Sequence, residues 1–158
     1  MDKINLDIPG IKACQQNRHP LLFIDKIVDT IPGVEANAIK CFSYNEWFFP
    51  AHFEDDPSVP GFILLESMVQ TFIMTFLTLE EHKGKKTNFL SINNVKFKKM
   101  IVPGNVLKIK AKLDSFKRGI AKGSAEGYVD GDLACKADFI VCLPDVLSDL
   151  KPKQDNEI

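Results

Sequence analysis

The chain has 158 residues, 45% of them hydrophobic and 26% charged, with a formal net charge of -1 at pH 7. That is the make-up of one globular domain with a substantial core, and it excludes a disordered or fibrous chain. A balance so close to neutral leaves no surface-wide footprint for nucleic acid, so a charged partner has to be met by a local patch. Cys14, Cys41, Cys135 and Cys142 show no CxxC or Cys/His ligand spacing. They read as reduced thiols of a cytoplasmic protein, mostly in its core. The opening "MDKINLDIPG" lacks the apolar stretch of a secretory signal.

Up to about Arg18 the chain is weakly patterned, with a short helix expected around Gly10 to Gln16. "LLFIDKIVDTI" and "VEANAIKCF" then read as two strands joined by a turn at Pro32-Gly33. "NEWFFPAHFEDDPSVPG" is a loop by its prolines and its acidic cluster, with aromatic anchors. From about Gly61 to about His82 a helix follows that is apolar nearly all round, with Phe62, Ile63, Leu64, Leu65, Met68, Val69, Phe72 and Ile73 on every side. Its length invites a membrane-span reading. Glu66 and Gln70 oppose it, because an ionisable residue at the centre of a span is expensive in lipid. Burial within protein is the better account.

After "KGKK" the period changes. "NFLSINNVKFKKM" reads as one or two strands, and "NVLKIKAKLDSF" alternates cleanly. "GIAKGSAEGYV" and "DLACKADFIVCL" meet at an Asp130-Gly131 hairpin turn. Cys135 and Cys142 fall on one strand, too far apart along it to bridge. A helix without a polar stripe must be wrapped, and the only wrapping on offer is a curled antiparallel sheet. The reading is a single α+β domain over residues 1–147, with 148–158 a polar tail.

The residues that bear chemistry cluster where loop meets helix. Pro60-Gly61 opens the helix, whose first N–H groups have no internal acceptor and suit an oxygen that gains negative charge. Glu66 lies five residues in, among apolar neighbours that raise a carboxyl pKa, and His52 stands upstream in the loop. Together they form a natural acid/base pair. Taken singly, His52 also fits a loop imidazole bonded to backbone, and Glu66 fits a structurally paired carboxylate. His19 and His82 read as structural or exposed. Glu54, Asp55 and Asp56 read as a solvated acidic turn that lacks a metal-ligand set.

The segment "NEWFFPAHFEDDPSVPGFILLESMVQ" resembles the (3R)-3-hydroxyacyl-acyl-carrier-protein dehydratases of fatty-acid synthesis, which share the hot-dog fold. Their pattern runs N-E-x-F-F-x-G-H-F-P-G-x-P-x-x-P-G-x-L-x-x-E-A-x-x-Q. Asn45, Glu46, Phe48, Phe49, His52, Phe53, Pro57, Pro60, Gly61, Glu66 and Gln70 fall on it without a gap. "RHPLLFIDKIVD" and "VKFKKMIVPGNVLKIKAKL" extend the resemblance on both sides. It implies a central helix gripped by a curled sheet, and catalysis by His52 and Glu66 contributed by two subunits of a dimer. It also implies that the Gly61 N–H holds the thioester carbonyl. The substrate would ride on the phosphopantetheine of acyl carrier protein, with no metal or other cofactor. Dimers that assemble further, as a trimer of dimers, fit the same picture.

The chain departs from the pattern with Ala51 for glycine, Glu54-Asp55 for Pro-Gly, Ser67 for alanine and Asn105 for aspartate. If residue 51 needs a positive φ, alanine there is strained. "WFFPAHFEDDPSVPG" is also similar to the bifunctional dehydratase/isomerases, but these carry aspartate on the helix, and Glu66 favours the dehydratase type. Two alternatives remain at this stage: a non-catalytic acyl-thioester-binding subunit, and a hot-dog thioesterase. Carrier proteins are acidic, so docking falls to basic candidates, namely Lys96, Lys98 and Lys99, with Lys117, Arg118 and Lys122. These lysines fit a solvated strand face equally well.

Overall fold

A computed structural model describes residues 2–149. Seven antiparallel strands form one sheet: β1 (Ile4–Leu6), β2 (Lys26–Thr30), β3 (Glu35–Cys41), β4 (Asn88–Phe97), β5 (Val106–Lys117), β6 (Ile120–Val129) and β7 (Asp132–Cys142). Their order across the sheet is β1-β2-β3-β5-β6-β7-β4, so β1 and β4 are the edges. Helix α1 (Ile8–Cys14) precedes β2, helix α2 (Gly61–Leu77) crosses the sheet, and α3 (Pro144–Asp149) closes the described chain.

The sheet can wrap α2 because its inner face is built small where the helix lies. Ala36, Ala111, Ala125 and Ala137 stand opposite one another in register across β3, β5, β6 and β7, and all are buried. This row of methyl groups forms a trough for a helix whose own side chains are large. Beside it, Gly123 pairs with Leu113 and Phe139. A Cβ on Gly123 would run into the Lys112 carbonyl and the Phe72 ring. Phe72 lies there instead, stacked on Phe139 with ring centroids 5.9 Å apart. The polar side chains of α2 that face inward are satisfied locally. Ser67 donates to the Ile63 carbonyl, Thr71 to Ser67 and Thr75 to Phe72.

Turn chemistry sets the hairpins. Asp130 and Gly131 both take positive φ, as do Arg118 and Gly119 between β5 and β6. These are the backbone values that two-residue hairpins with matching twist require. The turn at Pro32-Gly33 is tied to the helix as well, since the Gly33 N–H donates to the Thr75 carbonyl at 2.6 Å.

Several expectations are corrected. Helix α2 stops at Leu77 rather than near His82, because the apolar run ends there and the Thr78 hydroxyl bonds back to the Met74 carbonyl. Residues 78–84 continue as turns and a bend. Of the one or two strands expected in "NFLSINNVKFKKM" there is one, whose register shifts at Phe89/Ser91 and Asn93/Lys96. Residues 21–25 are not strand: the Gln70 carboxamide holds them by accepting from Phe23 N and donating to the Leu21 carbonyl. β1 was not foreseen, and the early helix spans Ile8–Cys14, capped by the Asp7 carboxylate on Gly10 N. Of the tail 148–158, Ser148 and Asp149 end α3, and 150–158 lie outside the described residues. All four cysteines are free, and only Cys41 is exposed. Among the described residues no helix is long and apolar enough to cross a membrane.

The alanine row makes a direct prediction. Ala125→Leu overfills the trough and lowers the stability read from urea denaturation by about 1–3 kcal/mol. Lys122→Leu on the opposite face of the same strand changes it by less than about 0.5 kcal/mol.

Candidate active site

The loop at residues 43–60 is pinned before it reaches the histidine. Lys40 is buried near the end of β3, and its Nζ lies 2.6 Å from Glu46 Oε1 and 3.7 Å from Asp25 Oδ2. The same ammonium stands 5.4 Å from the centre of the Phe42 ring. From Glu46 the chain advances in hydrogen-bonded turns: Glu46 N donates to Ser43 O, Phe49 N to Glu46 O, and His52 N to Phe49 O. Phe48 and Phe49 are driven into the core between these turns. The position of His52 is thus set by an ion pair whose ammonium is buried and by two buried rings.

His52 is half-buried, and its Nδ1 is 3.1 Å from the Ser58 carbonyl and 3.3 Å from the Ser58 hydroxyl. A carbonyl only accepts, so the proton sits on Nδ1 and the lone pair on Nε2. That tautomer leaves Nε2 able to take up a proton. The Ser58 N–H returns a bond to the His52 carbonyl at 2.9 Å. Glu54-Asp55 forms the tip of a tight turn closed by reciprocal bonds between Phe53 and Asp56. The peptide between His52 and Phe53 is cis, and the Phe53 ring stacks on the imidazole at 4.4 Å.

At the helix start no side chain caps α2. Ile63 N donates back to the Pro60 carbonyl, while the N–H groups of Gly61 and Phe62 have no acceptor among the described residues. Gly61 lets Phe97 of β4 lie close against the helix start, since a Cβ would come to 3.0 Å from the tip of that exposed ring and push it aside.

One and a half turns further on, Glu66 Oε1 accepts from Gln70 Nε2 at 2.8 Å and from Asn17 Nδ2 at 3.4 Å. Burial pushes the carboxyl pKa up, against a smaller downward pull from the Gln70 bond. With Oε1 occupied as acceptor, Oε2 is the oxygen free to carry a proton. Glu66 opens onto a cavity of about 440 Å³ that runs along one face of the helix past Val69, Ile73 and Leu77. Phe89 and Val141 of the sheet, Leu21, and the 15–18 and 85–88 segments also form its walls, so polar groups face the apolar side of the helix. At ~1.5 Å per residue, Glu66 to Leu77 spans roughly 16 Å of helix.

A family model described as a FabA-like domain matches residues 16–138. A 3-hydroxyacyl-[acyl-carrier-protein] dehydratase FabZ of Chloroflexus aggregans is 39% identical over 140 residues, covering 89% of this chain and 97% of its own. The protein of the same name from Caldicellulosiruptor saccharolyticus is 36% identical over 137 residues, covering 87% and 98%.

The chain belongs to the FabA-like family.

Among solved structures, the dehydratase heterocomplex ApeI:P from Xenorhabdus doucetiae aligns with a TM-score of 0.72 at 15% identity, covering 85% of this chain and 90% of that one. An uncharacterized protein of Pyrococcus horikoshii aligns at 0.66 and 11%, covering 90% and 95%. These likenesses bear on fold alone, and the fold is the hot-dog.

For a FabA-like chain the site is informative in what it leaves apart. His52 and Glu66 share no hydrogen bond, and His52 does not line the cavity on which Glu66 opens. The docking candidates also divide. Lys96, Lys98 and Lys99 flank Phe97, hence the Gly61 end, although Lys99 is drawn to Asp132 at 3.2 Å. Lys117 and Arg118 sit at the β5–β6 turn beside Phe116, which packs on Phe76 at the opposite end of the helix. Lys122 faces outward on β6. Ala51 does not take positive φ, so the strain considered for it does not arise. Ser67 is satisfied by Ile63, and Asn105 Oδ1 accepts from Val102 N as a carboxylate would.

His19 is exposed. His82 packs on Phe116, with burial and then Lys85 lowering its pKa. Among the described residues no three His, Cys, Asp or Glu side chains converge as a metal site would need. Sequence reading did not single out Asn17, Ser58 or Gln70 as site residues. Gln70 carried a signal, being a polar residue one turn beyond Glu66 on an apolar helix.

Glu46→Ala leaves the Lys40 ammonium buried beside a single more distant carboxylate. It should cost about 3 kcal/mol in denaturation measurements. The double variant Lys40→Met/Glu46→Gln, which removes the charge as well as its partner, should cost less than half of that.

Proposed function

We propose that the chain dehydrates (3R)-3-hydroxyacyl thioesters carried by acyl carrier protein to trans-2-enoyl thioesters, in fatty-acid or related acyl-chain synthesis in the cytoplasm. The observation that carries this reading is the Glu66 carboxyl, held toward its protonated form at a cavity whose helix wall offers Val69, Ile73 and Leu77 to an acyl chain. Curated relatives named for this activity match nearly their whole length.

In this mechanism the thioester carbonyl accepts from the free N–H at Gly61, whose helix end favours the charge that builds on oxygen. His52 Nε2 removes a C2 proton. The C3 hydroxyl leaves as water with the proton from Glu66 Oε2, and the C2–H electron pair becomes the double bond. His52 and Glu66 then exchange protons with water to restore the starting state. No metal or redox group enters the balance; the phosphopantetheine arm belongs to the substrate. The acyl tail lies along Val69, Ile73 and Leu77.

A complete site takes His52 from one chain and Glu66 from another. The edge strand β4 supports such a pairing. It is ten residues long, exposed nearly throughout, and apolar on both faces through Phe89, Leu90, Ile92, Val95 and Phe97. An edge of that kind calls for a covering partner, and its last residue lies on Gly61. Dimers of this kind could assemble further into trimers of dimers. The acidic carrier docks on Lys96 and Lys98 beside the same end of the helix.

Mixing tests the shared site. His52→Ala and Glu66→Gln should each lose about 10²- to 10⁴-fold in the hydration of a trans-2-enoyl thioester, followed by loss of enoyl absorbance. Once their subunits exchange, the mixture should recover about a quarter of the wild-type rate. Half of the dimers are then mixed, and each carries one intact site of two. No recovery after proven exchange would place both residues in one chain, and thiol release without hydration would point to a thioesterase. For docking, Lys98→Glu should raise KM about tenfold for a carrier-borne substrate at low salt, with little change for the free pantetheine thioester.

A further inference from the structure

Ser58 meets His52 through its N–H, its carbonyl and its hydroxyl, and only the last depends on which residue stands at 58. The N–H donates to the His52 carbonyl at 2.9 Å, and the Ser58 carbonyl lies 3.1 Å from Nδ1. Any residue but proline could supply both. The side chain adds a contact of its own, with Oγ 3.3 Å from the same Nδ1. The loop pattern that this chain resembles runs P-x-x-P-G and leaves position 58 open, so the hydroxyl is particular to this sequence. The proposed reaction has so far given it no part.

The carbonyl decides how the hydroxyl is used. If the Ser58 O–H donated to Nδ1, that nitrogen would turn a lone pair toward a carbonyl oxygen 3.1 Å away, which is repulsive. With the proton on Nδ1, both oxygens accept from it, the carbonyl on the shorter arm and the hydroxyl on the longer. Ser58 is only half-buried, so its own proton can turn to solvent. Once Nε2 takes up a proton, the ring carries a full positive charge. Hydrogen bonds from a charged donor are shorter and roughly twice as strong as neutral ones. The second acceptor therefore counts for most in the imidazolium.

Nothing else near the ring offers the same support. Among the described residues, every hydrogen-bond partner of the imidazole belongs to Ser58. Glu54, Asp55 and Asp56 are exposed on the turn beyond it. Lys98 and Lys99 precede Ile101, whose carbonyl accepts from Val59 N, and Lys99 is drawn to Asp132. The Phe53 ring stacks on the imidazole and holds its plane, but it supplies no acceptor.

We propose that Ser58 is a positioning residue for the base: its hydroxyl is a second acceptor for the His52 Nδ1–H and steadies the imidazolium formed as C2 loses its proton. This rests on the dehydratase reading and adds a residue to its machinery. The balance of the reaction is unchanged. The C2 proton goes to Nε2, the Nδ1 proton stays where it is, and the serine proton stays on its oxygen.

Two readouts separate this claim from the reaction it rests on. Without substrate, proton NMR follows the His52 Nδ1–H, identified by its loss in His52→Ala. Ser58→Val, whose methyl groups keep water out of the vacated place, should quicken the exchange of that proton with solvent about fivefold. Ser58→Ala, the smaller change, should act in the same direction, and Ser58→Thr should stay near the wild-type rate. The signals of His82, packed on Phe116 away from the loop, report that each variant is folded. With a (3R)-3-hydroxyacyl pantetheine thioester, kcat should fall about 3- to 10-fold in the valine and alanine variants while KM stays within about twofold, and threonine should restore it. Wild-type exchange and kcat in both variants overturn the proposal, as does a threonine variant no better than alanine. The expected exchange pattern in a wild-type protein that turns over no thioester would instead sink the dehydratase reading and leave the hydrogen bond in place.

Discussion

Helix α2 has almost no face that tolerates water, and this constrains everything around it. Thirteen of its 17 residues are buried, from Ile63 and Leu64 through Leu77. At roughly 25 cal/mol per Å² of apolar surface, each large side chain withdrawn from water contributes about 1.5–3 kcal/mol. Hence the strong pull to wrap the helix. A sheet can curl around it only where its inner side chains are small, and the row Ala36, Ala111, Ala125 and Ala137 meets that need in register across four strands. The same burial withdraws solvent from Glu66 and raises its pKa. Fold and acid chemistry thus share a cause.

Much of this was legible in the chain. Period-two alternation in "NVLKIKAKLDSF", the Asp130-Gly131 turn and a helix without a polar stripe together imply a wrapped helix, because each follows from local chemistry. What stayed hidden depends on contacts remote in sequence. "LLFI" looks like a strand, but its backbone is taken up by the Gln70 carboxamide, 47 residues away from Phe23. β1 is three residues long and paired with a shifted register, too little for a pattern to show. β4 gave an uncertain count because two irregularities break its alternation.

The site divides in the same way. His52, Gly61 and Glu66 are visible as a loop imidazole, a helix-entry glycine and a carboxyl among apolar residues. Their supports are not. Ser58 on the His52 Nδ1, Gln70 and Asn17 on Glu66, and Lys40 beneath Glu46 act through geometry that no spacing rule reports. The close contact at Gly61 also comes from outside its own segment, from the Phe97 ring 36 residues on.

Gln70 shows how one side chain joins these levels. Its oxygen fixes the Phe23 backbone, and its nitrogen fixes the Leu21 backbone and one Glu66 oxygen. The bond to Glu66 favours the ionised carboxylate, while burial favours the neutral acid and prevails. An acid that must give up its proton and regain it in every cycle benefits from this opposition, since neither form is beyond reach. The bond also dictates which oxygen remains available, so Oε2 faces the departing hydroxyl in the proposed mechanism. On that reading, the apolar edge of β4 and the separation of His52 from Glu66 are one deficit rather than two. A second chain laid along β4 would cover exposed Phe and Leu side chains and bring an imidazole toward the carboxyl, so the free energy of hiding the edge would also assemble the site.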